Sequence, residues 1–128
     1  MKYVIILIIL IISAESQFGQ SLKVGQEAPE IIQKSLDGKE IPLSSLRGKM
    51  VLIDFWASWC LPCRKENPLI VRTYHKYKGE IFKNGEGFTV YSVSMDTHPT
   101  AWRNAVGKDK LEWPNHVSDL KGWKNEAA

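Results

Sequence analysis

Two cysteines three residues apart, in Cys60-Leu61-Pro62-Cys63, stand at the junction of an apolar run and a stretch with helical spacing, and the chain has no other cysteine. Ahead of them Met50-Val51-Leu52-Ile53-Asp54-Phe55 is nearly continuously apolar, the pattern of a central parallel strand buried on both faces. Behind them, between Arg64 and Lys78, Leu69, Ile70, Thr73, Tyr74 and Tyr77 recur as on one side of a helix. Phe88 to Ser94 then has the β-branched and aromatic content of a second strand. A strand, helix and strand of this length imply parallel pairing with a right-handed crossover, so the fold class is α/β.

The remaining segments fit round that unit. Phe18 to Pro29 reads as an extended lead-in, and Asp37-Gly38 between alternating apolar residues predicts a small hairpin within Glu30 to Leu43. Gly79 to Gly87 is a turn-rich connection, Thr100 to Val106 a helix, and Trp113-Pro114 to Val117 a short extended segment. Ser118 or Asp119 is placed to cap a last helix running through Ala128. A length of 128 residues fits one domain. The 17 basic and 14 acidic residues are scattered, with no basic tract to hold a phosphate backbone, which argues against a nucleic-acid partner.

The first residues, MKYVIILIILIISAESQFGQ, have the layout of a secretory signal peptide: one Lys, an apolar run, then small and polar residues. The run from Tyr3 to Ile12 is about ten residues, short of the roughly 18 to 20 that span a bilayer. Ala14 and Ser16 are spaced for cleavage after Ser16, which divides the chain into a signal peptide, 1–16, and a domain, 17–128. An uncleaved anchor is the alternative. No cysteine follows the run to take a lipid. An exported domain works where disulfides form and persist.

At the end of a strand and the start of a helix, Cys60 meets unpaired backbone N–H groups and the positive end of the helix dipole, both of which stabilise a thiolate. Cys63, one turn on, can attack the mixed disulfide that Cys60 makes with a substrate and release the reduced product. Asp54, the one acid in the apolar strand, is a candidate proton acceptor for Cys63 with a raised pKa; the alternative is a carboxylate that reaches water at the strand edge. Pro62 suits the first helical turn, and replacing it is expected to alter the redox potential. Trp59 lies next to Cys60 and is expected to limit solvent access to the thiols, with Trp56 nearby. Glu66 is read as favouring the helix N-terminal turn, and Pro68 as bending or limiting the helix.

Other readings of the pair are a purely structural disulfide and half of a metal site. So short a loop constrains the unfolded chain by only about 2 kcal/mol, which argues against a staple. A zinc site lacks its second half, because His75, His98 and His116 are not at finger spacing and read as surface or loop histidines. A module holding Cu or Zn between the two thiolates for delivery remains the rival from a different class.

The segment Val51-Leu52-Ile53-Asp54-Phe55-Trp56-Ala57-Ser58-Trp59-Cys60-Leu61-Pro62-Cys63-Arg64-Lys65-Glu66-Asn67-Pro68 resembles the active-site segment of the TlpA/ResA group of thioredoxin-like thiol-disulfide oxidoreductases, within the AhpC/TSA-Redoxin superfamily. Val24-Gly25-Gln26-Glu27-Ala28-Pro29, the Asp37-Gly38 hairpin and Ser94-Met95-Asp96 carry the resemblance further. It implies a thioredoxin fold, exported or membrane-tethered and facing the periplasm; dithiol-disulfide exchange itself requires no cofactor. It also implies protein disulfide or dithiol substrates and often a place in cytochrome c maturation; a membrane electron donor is a candidate further partner. Cys60 is then the attacker, Cys63 the resolver and Asp54 the buried acid. The peroxidase pattern, Thr three residues before the reactive Cys, is absent, since Ala57 stands there. In the family a cis-proline loop faces the cysteines and leads into two more strands and a helix. Ala128 precedes the place where that loop is due, and neither Pro99 nor Pro114 occupies it. The expectation is therefore a C-terminally incomplete domain with an exposed sheet edge and a tendency to associate. An inactive fragment is the third reading.

Overall fold

The computed structural model describes residues 21–128, so the apolar run and the cleavage position expected after Ser16 lie outside the described residues. No helix among these residues is long and apolar enough to cross a membrane. The elements follow in the order β1 (Ile32–Ser35), β2 (Glu40–Pro42), β3 (Met50–Trp56), α1 (Leu61–Tyr77), β4 (Ile81–Phe82), β5 (Gly85–Glu86), β6 (Phe88–Ser94), α2 (Pro99–Lys108) and β7 (Asn115–Ser118), with 3-10 turns at Leu43–Leu46 and Gly122–Lys124. Five strands form one mixed sheet in the order β2-β1-β7-β6-β3. β3 pairs parallel to β6 and β6 parallel to β7, while β1 runs antiparallel to both β2 and β7. This is the α/β architecture with an N-terminal hairpin that the sequence predicts.

The hairpin closes because the Ser35 N–H donates to the Lys39 carbonyl (2.8 Å) and Gly38, at φ 84°, takes a left-handed conformation that costs a glycine little. The turn-rich Gly79 to Gly87 holds the two-stranded β4-β5 ribbon. The helix read over Thr100 to Val106 is α2, and the extended segment read from Trp113 to Val117 is β7, which begins two residues later and ends one residue later.

Three expectations are corrected. β3 is not a central strand: it stands at the sheet edge among the described residues, with Met50, Leu52 and Phe55 exposed by 42%, 39% and 42%. The strand buried on both sides is β6, flanked by β3 and β7. No helix runs from Ser118 to Ala128. Leu120 and Gly122 both adopt positive φ, and the Asp119 carboxylate accepts from the N–H groups of Lys121 and Glu126 (3.0 Å each), local bonds that compete with a helix. His116 is buried rather than a surface or loop residue.

Both sheet faces carry apolar clusters. On one, Trp56, Val90, Trp102, Ala105, Leu111 and Trp113 pack with Cys63, Ile70, Val71 and Tyr74, under α1 and α2. On the other, Tyr91, Val93 and Val117 meet Ile31, Ile41, Val51 and Ile53. His116 stacks on Trp113 (ring centroids 5.5 Å apart), and its Nε2 bonds to the Leu111 carbonyl at 3.0 Å. Burial pushes its pKa down to about 4, although bonds to backbone carbonyls pull it partly back. The unfolded chain therefore binds a proton at His116 between about pH 6.5 and pH 4 while the folded chain does not. Stability is full above the unfolded pKa and falls as pH drops through that window, on the order of 3 kcal/mol. Urea unfolding of the parent chain and of His116→Gln at neutral pH and near pH 4 checks this: the parent is expected to lose more stability on acidification than the variant.

Candidate active site

The strand-to-helix junction puts Cys60 at the N-cap of α1, with Pro62 in the first turn and Cys63 following it. The two cysteines are joined by a disulfide, their Cα atoms 5.3 Å apart. Cys60 Sγ accepts from the Cys63 backbone N–H at 3.4 Å, and the Cys60 carbonyl accepts from Arg64 N at 3.0 Å. One N-terminal N–H of α1 thus faces the Cys60 sulfur, at the helix end where negative charge is stabilised. Both cysteines are half-buried, and Cys63 packs against the core cluster that holds Trp56.

Trp56 is buried and Trp59 half-exposed, so Trp56 is a core residue beneath the site while Trp59 flanks it. Trp59 lies 5.6 Å from Trp123, centroid to centroid. Together with Phe55, Ala57 and Met95 they line a cavity of about 360 Å³ that opens onto both sulfurs and has an almost wholly apolar wall. A larger groove of about 620 Å³, bordered by Glu27, Leu43, Arg47 and Val51, reaches neither cysteine.

Asp54 is half-buried on β3, two residues before Trp56 and therefore on the same sheet face. Burial raises its pKa, and the negative charge of Glu66 on α1 raises it further. Glu66 thus has a different place from the one expected: α1 carries no acid in its first turn, and Glu66 sits in the second, where the helix dipole is weak, its field falling on Asp54. Pro68 does not end the helix, which continues to Tyr77.

The sequence reading missed a polar frame behind the cysteines. Arg64 donates from Nε and Nη2 to the two carboxylate oxygens of Asp109 (2.5 Å each) and from Nη1 to the Ser58 carbonyl (3.0 Å). Asn67 Nδ2 donates to the same Asp109 (2.8 Å). Asp96, just past β6, accepts from the Ser58 N–H (2.9 Å), the Ser58 hydroxyl and the Ser94 hydroxyl (2.7 Å). Asp109 lies 45 residues from Arg64, and no local pattern announces the pair. Among the described residues no group of three or more His, Cys, Asp or Glu is gathered as a metal site.

Residues 24–122 match the AhpC/TSA family. Two curated relatives are the thiol-disulfide oxidoreductases ResA of Bacillus thuringiensis (strain Al Hakam), 35% identical over 105 residues, and of Bacillus subtilis (strain 168), 39% identical over 95 residues. These alignments cover 82% and 74% of this chain but 56% and 50% of the relatives, so the chain spans about half their length. Among solved structures, the thioredoxin domain of a thiol-disulfide oxidoreductase from Bacteroides vulgatus is 40% identical with a TM-score of 0.69, covering 79% of this chain and 67% of that one. A thiol-disulfide oxidoreductase from Bacteroides fragilis is 32% identical with a TM-score of 0.69, covering 80% and 72%. The thioredoxin-like fold implied by the residues round Cys60 is thereby shown.

Proposed function

The chain belongs to the AhpC/TSA family, alongside ResA-type thiol-disulfide oxidoreductases, and on that premise we propose that it exchanges disulfides with protein substrates through Cys60 and Cys63 in an exported compartment. One observation carries the reading: the Cys60–Cys63 disulfide closes at the N-cap of α1, where Cys60 Sγ already receives a backbone N–H. In the reducing direction the Cys60 thiolate attacks a substrate disulfide. One substrate sulfur leaves as thiolate and a mixed disulfide forms. Cys63, deprotonated, then attacks Cys60 Sγ; the second substrate thiolate leaves, and two electrons have passed to the substrate as the Cys60–Cys63 disulfide re-forms. The oxidising direction is the reverse. Ala57 in place of the peroxidase threonine argues against peroxide as substrate. The N-terminal apolar run and the persistence of disulfides outside the cytoplasm support export.

Asp54 takes the proton of Cys63 in this scheme. A carboxyl whose pKa is raised by burial and by Glu66 is a better base for a thiol than an ordinary carboxylate. Asp54→Asn is expected to slow release of the mixed disulfide roughly ten- to a hundredfold at neutral pH. The deficit closes at alkaline pH, where Cys63 ionises without help. The same change is expected to stabilise the fold near neutrality. With its folded pKa raised, Asp54 opposes folding once pH exceeds its unfolded value, and asparagine carries no such penalty. Turnover of a protein disulfide with dithiothreitol as donor, followed against pH, tests both the function and this role. Activity above the uncatalysed rate supports the function; a pH profile unchanged in Asp54→Asn removes Asp54 from the scheme.

A further inference from the structure

The peptide at Ser58, two residues ahead of Cys60, is held at every polar group it has. Its N–H and hydroxyl donate to Asp96, a carboxylate only 1% exposed, and its carbonyl accepts from Arg64. Arg64 is in turn fixed by a two-pronged pair with Asp109 at the C-cap of α2, and Asn67, buried on α1, holds Asp109 from the other side. The loop that delivers Cys60 is therefore anchored to the end of β6 and, through one guanidinium, to the end of α2.

We infer that Arg64, braced by Asp109, is a positioning residue that keeps the Ser58–Cys60 loop in register with α1 and so sustains the Cys60 thiolate at the N-cap. The inference rests on the reading of Cys60 as the attacking thiol. A planar guanidinium that binds a carboxylate two-pronged and still has an N–H for a carbonyl fixes direction as well as distance, which an ammonium cannot do. Removing it frees the Ser58 carbonyl and leaves Asp96 and Asp109 without their shared cation. The Cys60 N–H donates to the Ala57 carbonyl at 3.1 Å, so a turn of the Ser58 peptide moves Cys60 itself. The sulfur then loses its alignment with the Cys63 N–H. A thiolate depends on that N–H far more than a disulfide sulfur does, because its full charge is what the N–H and the helix dipole stabilise. Asp54 on β3 and Glu66 on α1, whose charges act on each other, are acids with no hydrogen bond to this loop.

The test reads Cys60, with alkylation there told apart from Cys63 by peptide mass spectrometry. In fully reduced protein, the rate of Cys60 alkylation by iodoacetamide is followed against pH for the parent chain, Arg64→Met, Arg64→Lys, Asp109→Asn and the double variant Arg64→Met with Asp109→Asn, with Tm measured for each. Arg64→Met is expected to raise the midpoint by about one pH unit, a roughly tenfold smaller thiolate fraction near neutrality. Lysine restores little of this, and Asp109→Asn moves the midpoint the same way by less. The double variant matches Arg64→Met alone, the mark of residues that act as one unit. A lower Tm in Arg64→Met with an unmoved midpoint overturns the inference and leaves a structural ion pair. A fall of the midpoint in Asp109→Asn overturns it too, because the guanidinium would then act through its charge once released. If the parent chain itself titrates like a free thiol, near about 8.5, the reading of Cys60 as the activated nucleophile fails, and the inference with it. Should Arg64→Met not fold, Arg64→Lys and Asp109→Asn, which keep side-chain volume, carry the test.

Discussion

Cys60→Ser is expected to abolish dithiol-disulfide exchange, by about a thousandfold or more, whereas Cys63→Ser leaves the attack intact and accumulates a covalent adduct between Cys60 and the substrate. The difference follows from position. Cys60 caps α1 and receives the Cys63 N–H, so on the proposed reading its thiolate forms and attacks, and a serine hydroxyl at that place stays protonated near neutrality. Cys63 packs against the core cluster behind it and has only the second step to perform. Mass spectrometry of each variant after incubation with a peptide disulfide checks both outcomes. A stable adduct on Cys60 in Cys63→Ser and none on Cys63 in Cys60→Ser is the expected pattern. The reverse pattern assigns the attack to Cys63.

The second large effect is on the fold. Trp113→Ala is expected to cost about 3 to 5 kcal/mol, the range for truncating a fully buried large aromatic side chain. Trp113 is almost completely buried, meets Tyr74 edge-on at 5.6 Å, stacks on His116, and donates its indole N–H to Ser92 Oγ at 2.9 Å. It therefore ties α1 and β6 to the strand that follows it. The truncation opens a cavity between these elements and orphans a buried hydroxyl. Against a total stability of roughly 5 to 15 kcal/mol for an ordinary domain, the loss removes from about a fifth of the margin to all of it. Urea unfolding followed by far-ultraviolet circular dichroism checks the magnitude. A loss under about 1 kcal/mol contradicts the assignment of Trp113 to the core.

Local signals in the sequence are enough for the hairpin, β3, α1 and β6, and for the place of Cys60 and Cys63 at the junction of strand and helix. The Asp37-Gly38 turn, the apolar runs of β3 and β6, and the spacing of Leu69, Ile70, Thr73, Tyr74 and Tyr77 each depend on a few neighbouring residues, and each element stands where those residues place it. The position of Cys60 between strand and helix is equally local, and it brings with it the N-cap contact to Cys63. Sheet order is not local. β3 and β6 both read as apolar runs, and nothing within either says that β6 has a strand on each side while β3 has one. The segment after Ser118 misled for a different reason: its helix-compatible residues are overruled by positive φ at Leu120 and Gly122 and by the Asp119 side chain bonding to the backbone. His116 looked like a surface histidine because only its tertiary partners, Trp113 and the Leu111 carbonyl, bury it. Long range also hid the polar frame of the site. Arg64 is adjacent to Cys63 in the chain, but Asp109 and Asp96 reach the active-site loop only once α2 and β6 have packed.

The central claim is that Cys60 and Cys63 form a reversible redox couple, and its most direct test is their equilibrium with graded mixtures of reduced and oxidised glutathione or dithiothreitol, followed by the fluorescence of Trp56 and Trp59. The account predicts one reversible two-electron transition with a defined midpoint in a chain that stays folded throughout, and no transition in Cys60→Ser. A folded chain whose disulfide resists every reductant, or whose thiols never close under oxidising conditions, contradicts it.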